Sequence, residues 1–139
     1  MAAAPFAIKR IDHIVLRVVD PVRAERFYRE VLGCEVAKRR NDLGLLHLHA
    51  GASMIDLVAI DGELGRKGGI AAGSQGRNLD HLCLRIEHFD EAAIVAHLAR
   101  HGITAHGPAS TNFGAEGHGR SLYFDDPDGN TIELKGGSR

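Results

Sequence analysis

The stretch DPDGNTIEL, residues 126–134, decides how this chain folds. Its Pro-Asp-Gly turn at 127–129 lies between two segments of alternating side chains, GRSLYFDD (119–126) and NTIELKG (130–136). A tight turn of this composition between alternating segments is a strong signal for a β-hairpin. The sequence therefore predicts two antiparallel strands at the end of the chain.

Glu133 lies between two aliphatic residues in the second of these strands, so its side chain points to the face opposite them. The triplet Ile55-Asp56-Leu57 has the same arrangement, within a predicted strand at 53–60 that follows another at 43–51. On the inner face of a cupped sheet, a carboxylate is costly unless it is paired or bound to a metal. Packing has no need for two acids at equivalent inward positions, so Asp56 and Glu133 are candidate site residues.

The strands at the start of each half also match. Residues 11–18 read IDHIVLRV and residues 79–86 read LDHLCLRI, with Asp, His, Leu and Arg in register. Each is followed by an amphipathic helix that begins after Asp20 or Asp90, and by further strands, predicted around Glu35–Arg39 in the first half and at Ile103–His106 in the second. Internal self-similarity of this kind predicts two copies of one β-α-β-β-β unit.

The predicted fold class is α+β, with two tandem βαβββ modules forming a cupped open sheet and helices on the outside. Residues 1–139 form a single domain, with module one at about 8–60, module two at about 79–136 and a glycine-rich linker at about 61–78. The linker is expected to be a loop over the site or a flexible crossover.

The repeat places His13 and His81 at equivalent positions near the start of the first strand of each module. Together with the two acids, they form a set of two imidazoles and two carboxylates related by a pseudo-twofold axis. Such a set suits a divalent transition metal and leaves coordination positions open for a substrate. A closed structural zinc site more often recruits thiolates, and neither Cys34 nor Cys83 lies at a matching position.

The composition narrows the function classes. The chain has 44% hydrophobic and 25% charged residues and a net charge of −1, as in an ordinary soluble globular protein. No basic stretch suggests nucleic acid or a membrane surface as a partner, and no apolar run suggests a membrane span. The N-terminal segment does not resemble a signal peptide, and the cysteines show no disulfide framework. We therefore expect a cytoplasmic protein.

The chain resembles the vicinal oxygen chelate superfamily, which includes glyoxalase I, extradiol dioxygenases and bleomycin- or fosfomycin-resistance proteins. The resemblance rests on DHIVLRV (12–18), FYREVLG (27–33), LDHLCLRIE (79–87) and DPDGNTIEL (126–134), and it runs from about residue 9 to 135.

The resemblance implies that His13, His81 and Glu133 bind a divalent transition metal, which the sequence leaves open among Fe, Mn, Ni, Zn and Co. Asp56 stands where glyoxalase I has a fourth ligand, but it is one methylene shorter than the usual Glu. A water-bridged position or a role as base is therefore an alternative to direct ligation. Tyr123 lies opposite Glu133 if the hairpin is symmetric, and extradiol dioxygenases have a Tyr at matching spacing.

The implied function is a metal-dependent enzyme acting on a small substrate that chelates the metal through adjacent oxygens. Asp56 favours a glyoxalase-I-like isomerase or lyase, whereas Tyr123 favours an extradiol-dioxygenase-like activity, and both are treated as catalytic candidates. The alternatives are a non-catalytic small-molecule-binding protein of the drug-resistance type and a stress-response dimer with a vestigial site. The resemblance also implies a homodimer, with the site formed either within one chain or across two.

Several further residues are weaker candidates. His47 and His49 point to one face of their strand, where they line either the pocket or a solvent or dimer face. Arg17 and Arg85 repeat with the histidines, and either bind an anionic substrate or pair with Asp56.

The spacing of His97 and His101 is compatible with zinc on a helix, but without an acid partner it predicts an exposed helix face. The segment NFGAEGHG (112–119) is rich in glycine, which suggests a mobile lid or, through Glu116 or His118, a general base.

Overall fold

A computed structural model describes residues 3–138 of the chain. The first module contains five regular elements, which are β1 (His13–Val18), α1 (Pro21–Arg26), β2 (Glu35–Arg40), β3 (Leu45–Ala50) and β4 (Ser53–Ala59). A π-helical turn, Phe27–Val31, extends α1. The second module contains β5 (Leu82–Arg85), α2 (Glu91–Arg100), β6 (Ser110–Gly114), β7 (Gly117–Asp125) and β8 (Thr131–Lys135).

Each module forms a four-stranded mixed sheet, with strand orders β1-β4-β3-β2 and β5-β8-β7-β6. The first and last strands of each module are parallel, and the other pairs are antiparallel. The predicted architecture of two tandem βαβββ modules is therefore confirmed. The hairpin around the 127–129 turn also forms, because Tyr123 pairs with Glu133 across β7 and β8.

The helices begin and end where local chemistry dictates. The Asp20 carboxylate accepts hydrogen bonds from the amides of Val22 and Arg23, so it caps α1. Asp90 caps α2 in the same way. The helical segment of module one ends at Gly33, which has a φ of +74° that glycine adopts without strain.

The two modules share one hydrophobic core on the helix side of the sheets. Phe27 of module one lies against Phe124 of module two, with ring centroids 6.2 Å apart. The buried Tyr28 hydroxyl donates a 2.7 Å hydrogen bond to Asp126 Oδ2. The opposite faces of the sheets are more open, and Val15 on that face of β1 is 49% exposed.

The predicted strand at Ile103–His106 is wrong, because β6 lies at Ser110–Gly114. His106 makes a backbone hydrogen bond to the Tyr123 carbonyl, but Pro108, which has no amide hydrogen, follows before a ladder can form. The segment 112–119 is not a lid. It belongs to the paired β6–β7 hairpin, with only Ala115 and Glu116 between the strands.

The linker at 61–78 includes a short 3₁₀ turn, Gly65–Gly68. Arg17 anchors the linker, because its guanidinium donates to the carbonyl groups of Gly65, Gly69 and Ile70. This segment is therefore tied to β1. Among residues 3–138, no helix has the length and hydropathy needed to cross a membrane.

Candidate metal centre

The second module places an imidazole against a buried carboxylate. Glu133 on β8 is 4% exposed, and its Oε1 lies 3.1 Å from Nε2 of His81, which immediately precedes β5. Ser121 Oγ donates a 2.6 Å hydrogen bond to Glu133 Oε2. The carboxylate is therefore held at the inner face of the sheet with one oxygen directed at the imidazole.

The first module contains the corresponding pair in a looser arrangement. Asp56 on β4 is also 4% exposed, and its Oδ2 lies 4.0 Å from His13 Nε2. His47 Nδ1 lies 3.0 Å from Asp56 Oδ1, but no donor among the described residues is aligned with that buried oxygen. A buried carboxylate oxygen without an aligned donor is costly, which suggests that something else contacts it in the working protein.

The strand registers show that these are equivalent sites. Asp56 pairs with His47 on one side and with Val15 on the other. Glu133 pairs in the same way with Tyr123 and with Cys83. The repeat therefore preserves the histidine and the carboxylate, and it varies the side chains that flank them.

Both site histidines are oriented by the aspartate that precedes them, a role that the sequence analysis did not identify. His13 Nδ1 lies 2.7 Å from Asp12 Oδ2, and His81 Nδ1 lies 2.7 Å from Asp80 Oδ2. Each Nδ1–H donates to the carboxylate, which leaves Nε2 free to accept from, or to ligate, a group in the site. The hydrogen bond to Asp12 is the main cause that raises the pKa of His13. The repeated Asp-His dipeptide was the available signal.

These donors fit a divalent transition metal in type, because imidazole nitrogen and carboxylate oxygen both ligate such ions. Within residues 3–138, however, no group of three His, Cys, Asp or Glu side chains is close enough to hold a metal ion. The described residues therefore place these donors in two separate clusters, each with a histidine against a buried carboxylate, and His47 adds a second imidazole beside Asp56. We name them half-site one (His13 and Asp56) and half-site two (His81 and Glu133).

Tyr123 lies beside half-site two, with its ring centroid 5.8 Å from that of His81. Burial and the neighbouring Glu133 raise the pKa of Tyr123 to about 12, so the phenol keeps its proton at neutral pH. A pocket of about 280 Å³ adjoins the same half-site, and its walls include Cys83, Arg85 and Lys135. The site can therefore donate hydrogen bonds to an anionic oxygen.

The weaker candidates have other contacts. Arg17 does not pair with Asp56, because its guanidinium is used by the linker carbonyls. Arg85 Nε lies 3.2 Å from Glu116 Oε1 at the rim of the pocket. His47 contacts Asp56, whereas His49 is exposed.

The prediction that His97 and His101 lie on an exposed helix face is right for His101 and wrong for His97. His97 is half-buried, and its Nε2 lies 2.9 Å from the Val31 carbonyl, so it joins α2 to module one. His101 is exposed and lies against the His97 ring. His118 packs against Phe113 in the β6–β7 hairpin.

A cleft of about 660 Å³ lies elsewhere, between β1 and the Asp128 turn. None of the four half-site residues lines it. The smaller pocket, in contrast, is lined by both His81 and Glu133.

Comparison with known proteins supports this fold. The model of the Glyoxalase/Bleomycin resistance protein/Dioxygenase superfamily matches residues 10–134. The virulence protein STM3117 of Salmonella typhimurium is 36% identical over 129 residues, which cover 91% of this chain and 83% of that protein. Its crystal structure matches with a TM-score of 0.73, covering 96% of this chain and 100% of the other.

Two more distant structures share the fold. Lactoylglutathione lyase from Agrobacterium tumefaciens is 20% identical with a TM-score of 0.66, over 94% of this chain and 95% of that one. A mutant form of the fosfomycin resistance protein FosX from Listeria monocytogenes, complexed with Mn(II) and 1S,2S-dihydroxypropylphosphonic acid, is 20% identical with a TM-score of 0.69. That match covers 95% of this chain and 93% of FosX.

Proposed function

The chain belongs to the glyoxalase/bleomycin resistance protein/dioxygenase superfamily, and from this premise we propose that it is a metal-dependent lyase or isomerase. Its substrate is a small molecule with two adjacent oxygens. His13, His81 and Glu133 ligate the metal, and Asp56 transfers the proton. Two unpaired cysteines, Cys34 and Cys83, suit a reducing compartment such as the cytoplasm.

The observation that carries this proposal is the pair of buried carboxylates at equivalent inward positions, each facing a histidine. Asp56 and Glu133 are both 4% exposed, and a buried carboxylate destabilises the fold unless a cation or hydrogen bonds compensate. Each facing histidine has Nδ1 committed to an aspartate and Nε2 directed inward. A fold that needed only packing would place aliphatic residues at the two buried positions, Asp56 and Glu133.

We further infer that two copies of the chain complete each centre. Half-site one and half-site two each supply too few donors for a catalytic metal, which generally has three protein ligands. The faces that carry them are also the open faces of the sheets, where Val15 lies 49% exposed. Joining half-site one of one protomer to half-site two of its partner supplies two imidazoles and two carboxylates.

In the proposed reaction, each residue of the site has a separate role. A divalent cation held by His13, His81 and Glu133 would supply Lewis-acid polarisation of the substrate. Asp56 Oδ1 accepts the substrate proton, because it is a buried oxygen without an aligned donor, and Asp56 is too short to favour ligation. The protonated Tyr123 phenol donates a hydrogen bond to the oxygen that becomes negative.

The named activities of relatives are compatible with this chemistry. One structural neighbour is a lactoylglutathione lyase, and another was crystallised with Mn(II) and a phosphonic acid that carries two adjacent hydroxyl groups. Both share the fold with this chain at 20% identity. The FosX complex supports the class of chemistry proposed here, a small oxygen-bearing molecule at a divalent metal.

The first test is metal content by elemental analysis after reconstitution with Fe, Mn, Ni, Zn or Co. We expect about one transition metal per centre in the wild type, because two imidazoles and a carboxylate suffice for one ion. His13→Ala, His81→Ala and Glu133→Ala are expected to lose it, and Asp56→Ala to retain it but to lose turnover of methylglyoxal–thiol adducts. His101→Ala is the matched control, because His101 is exposed and outside both half-sites.

A folded wild type that binds none of the five metals contradicts the proposal. The leading function is then a non-catalytic small-molecule-binding protein, tested by binding of bleomycin or fosfomycin to the metal-free chain.

Tyr123 supports a second candidate, an extradiol-type dioxygenase. The phenol lies against His81 and opposite Glu133, where it can hydrogen-bond an ionised catechol oxygen. Oxygen uptake by the Fe(II)-loaded protein with catechol distinguishes the two activities. Uptake that is lost in Tyr123→Phe favours the dioxygenase, and the absence of uptake excludes it.

A further inference from the structure

Lys135 is a buried ammonium next to half-site two, and the chemistry proposed above does not use it. The residue is 5% exposed and lies two positions after Glu133 on β8, so both side chains are on the same face. Both also line the pocket of about 280 Å³ with His81. Lys135 Nζ donates a 3.0 Å hydrogen bond to the Gly117 carbonyl, but within residues 3–138 no carboxylate oxygen lies within 4.0 Å of it.

The repeat shows whether the fold itself requires a lysine at this position. Lys135 pairs in register with Arg85, and the matching residue in module one, which pairs with Arg17, is Val58. Val58 is equally buried, at 5% exposure. The sheet therefore accepts an aliphatic side chain at this position, whereas a buried cation without a counter-ion destabilises the protein. The Glu133 carboxylate on the same face already contacts Ser121 and His81, so the charge in module two calls for a further anion.

The surrounding strands leave room for this side chain. A Cβ atom on Gly114 would lie 3.0 Å from Lys135 Cε, and one on Gly119 would lie 3.0 Å from Nζ. The same Cβ on Gly119 would lie 2.6 Å from the Gly136 carbonyl oxygen and 2.8 Å from that of Gly137, so the neighbouring backbone requires glycine there. Glycine inside a strand weakens it and marks a close approach by another group. The Lys135 side chain therefore packs closely over two glycines of the β6–β7 hairpin.

Arg85 supplies a second cation at the rim of the same pocket. Its side chain is 40% exposed, and its Nε contacts the more exposed Glu116 at 3.2 Å. An exposed ion pair of this kind contributes little free energy, so a ligand can displace Glu116. The pocket thus has a point charge inside and a planar guanidinium at its opening, which together suit an oxyanion.

We propose that Lys135, with Arg85, binds an acidic group of the substrate, a carboxylate, phosphonate or phosphate. The adjacent oxygens at the other end of the same molecule lie at His81 and Glu133. This proposal rests on the proposed function, and it narrows the substrate class to small acids with a chelating pair of oxygens.

The test compares two chelators that differ only in an acidic tail, acetohydroxamate and succinic monohydroxamate, titrated calorimetrically into Zn(II)-loaded protein. We expect the wild type to bind the acidic chelator about tenfold more tightly, as for a charge-assisted contact. In Lys135→Met this preference falls to about twofold or less, whereas the affinity for acetohydroxamate is unchanged. In Arg85→Gln the preference for the acidic chelator is expected to fall about threefold. Lys67→Met, at an exposed linker lysine, retains the full preference.

A preference that is the same in the wild type and in Lys135→Met overturns the proposal. If circular dichroism shows that Lys135→Met does not fold, the Arg85→Gln variant tests the proposal instead. An unchanged preference for the acidic chelator in Arg85→Gln then overturns the proposal. If neither hydroxamate binds in a zinc-dependent manner, the proposed metal function fails separately. Inorganic phosphate titrated into the metal-free protein then tests the anion site, and phosphate binding that is equal in the wild type and Lys135→Met overturns it.

Discussion

At the scale of single residues, the Tyr28 hydroxyl links the helical turn of module one to the hairpin of module two. It donates a 2.7 Å hydrogen bond to Asp126 Oδ2, and Asp126 also accepts hydrogen bonds from the amides of Asp128 and Asn130. Burial and the nearby Asp126 hold the pKa of Tyr28 well above its ordinary value, so the hydroxyl remains a donor at neutral pH.

We expect Tyr28→Phe to lower the free energy of unfolding by about 2 kcal/mol, because it leaves a buried carboxylate oxygen with one donor fewer. Urea denaturation at neutral pH measures this loss. Phe27→Leu, at the adjacent core position, is a packing control that leaves the hydrogen bond in place. A Tyr28→Phe variant as stable as the wild type would show that the remaining donors to Asp126 suffice.

Asp80 acts at the same scale on the proposed metal centre. It accepts a hydrogen bond from His81 Nδ1, but its side chain is 96% exposed, so water can replace it in part. We expect Asp80→Asn to weaken metal binding by about three- to tenfold, less than the losses typical of buried carboxylates that orient a ligating histidine. Competition with a chromogenic chelator measures the dissociation constant. Asp61→Asn, at an exposed linker residue, should bind the metal as the wild type does, and equal constants in all three proteins would contradict this role.

At the scale of elements, the sequence predicts those parts whose chemistry is local. The turn at 127–129 and the caps Asp20 and Asp90 specify their own conformations, so the hairpin and both helix starts are as predicted. The position of β6 depends instead on which residues β7 can pair with, a non-local matter, and the apolar segment at 103–106 misled the prediction. The same holds at the site, where alternation predicts the face of each carboxylate but not its distance from a histidine.

Glu25 joins two elements of module one, and its contribution should depend on pH. Arg39 on β2 donates to both of its carboxylate oxygens, at 2.8 and 2.7 Å, and Arg29 donates to Oε2 at 3.0 Å. The hydrogen bonds from Arg39 are the main cause that lowers the pKa of Glu25. Because the folded pKa is below the unfolded one, this stabilisation is complete above the unfolded value and is lost as the pH falls through the folded value.

We expect Glu25→Gln to lower the free energy of unfolding by about 1 kcal/mol at neutral pH, a figure in keeping with partly exposed ion pairs. In acid, below the lowered pKa of Glu25, the variant and the wild type should converge. Urea denaturation across the acidic range follows this convergence. Glu30→Gln, on the same helical segment but exposed, should show neither effect. A difference between Glu25→Gln and the wild type that persists unchanged in acid would contradict the assignment.

At the scale of the whole molecule, the chain buries one side of its sheets and leaves the other available. The shared core lies on the helix side, where Phe27 meets Phe124, whereas the half-sites lie on the opposite faces. The two halves of the proposed centre are therefore related by the repeat without being brought together in the part of the chain that the structure describes. In the proposed dimer, a second copy arranged about a twofold axis would supply the missing half to each centre in turn.

Complementation between two inactive variants tests this arrangement. If the centres are shared, a mixed dimer of His13→Ala and Glu133→Ala places both lesions in one centre and leaves the other intact. After subunit exchange of equal amounts, half of the dimers are mixed, so about a quarter of the wild-type metal content and activity should return. If each centre forms within one chain, both variants stay empty in any mixture.

His13→Ala mixed with His13→Ala/Glu133→Ala is the matched control, because every mixed dimer then has a lesion in both centres. Elemental analysis of the purified mixtures separates the two outcomes, and zero recovery after verified exchange would reject the shared centre while leaving the metal ligands open to a single-chain arrangement.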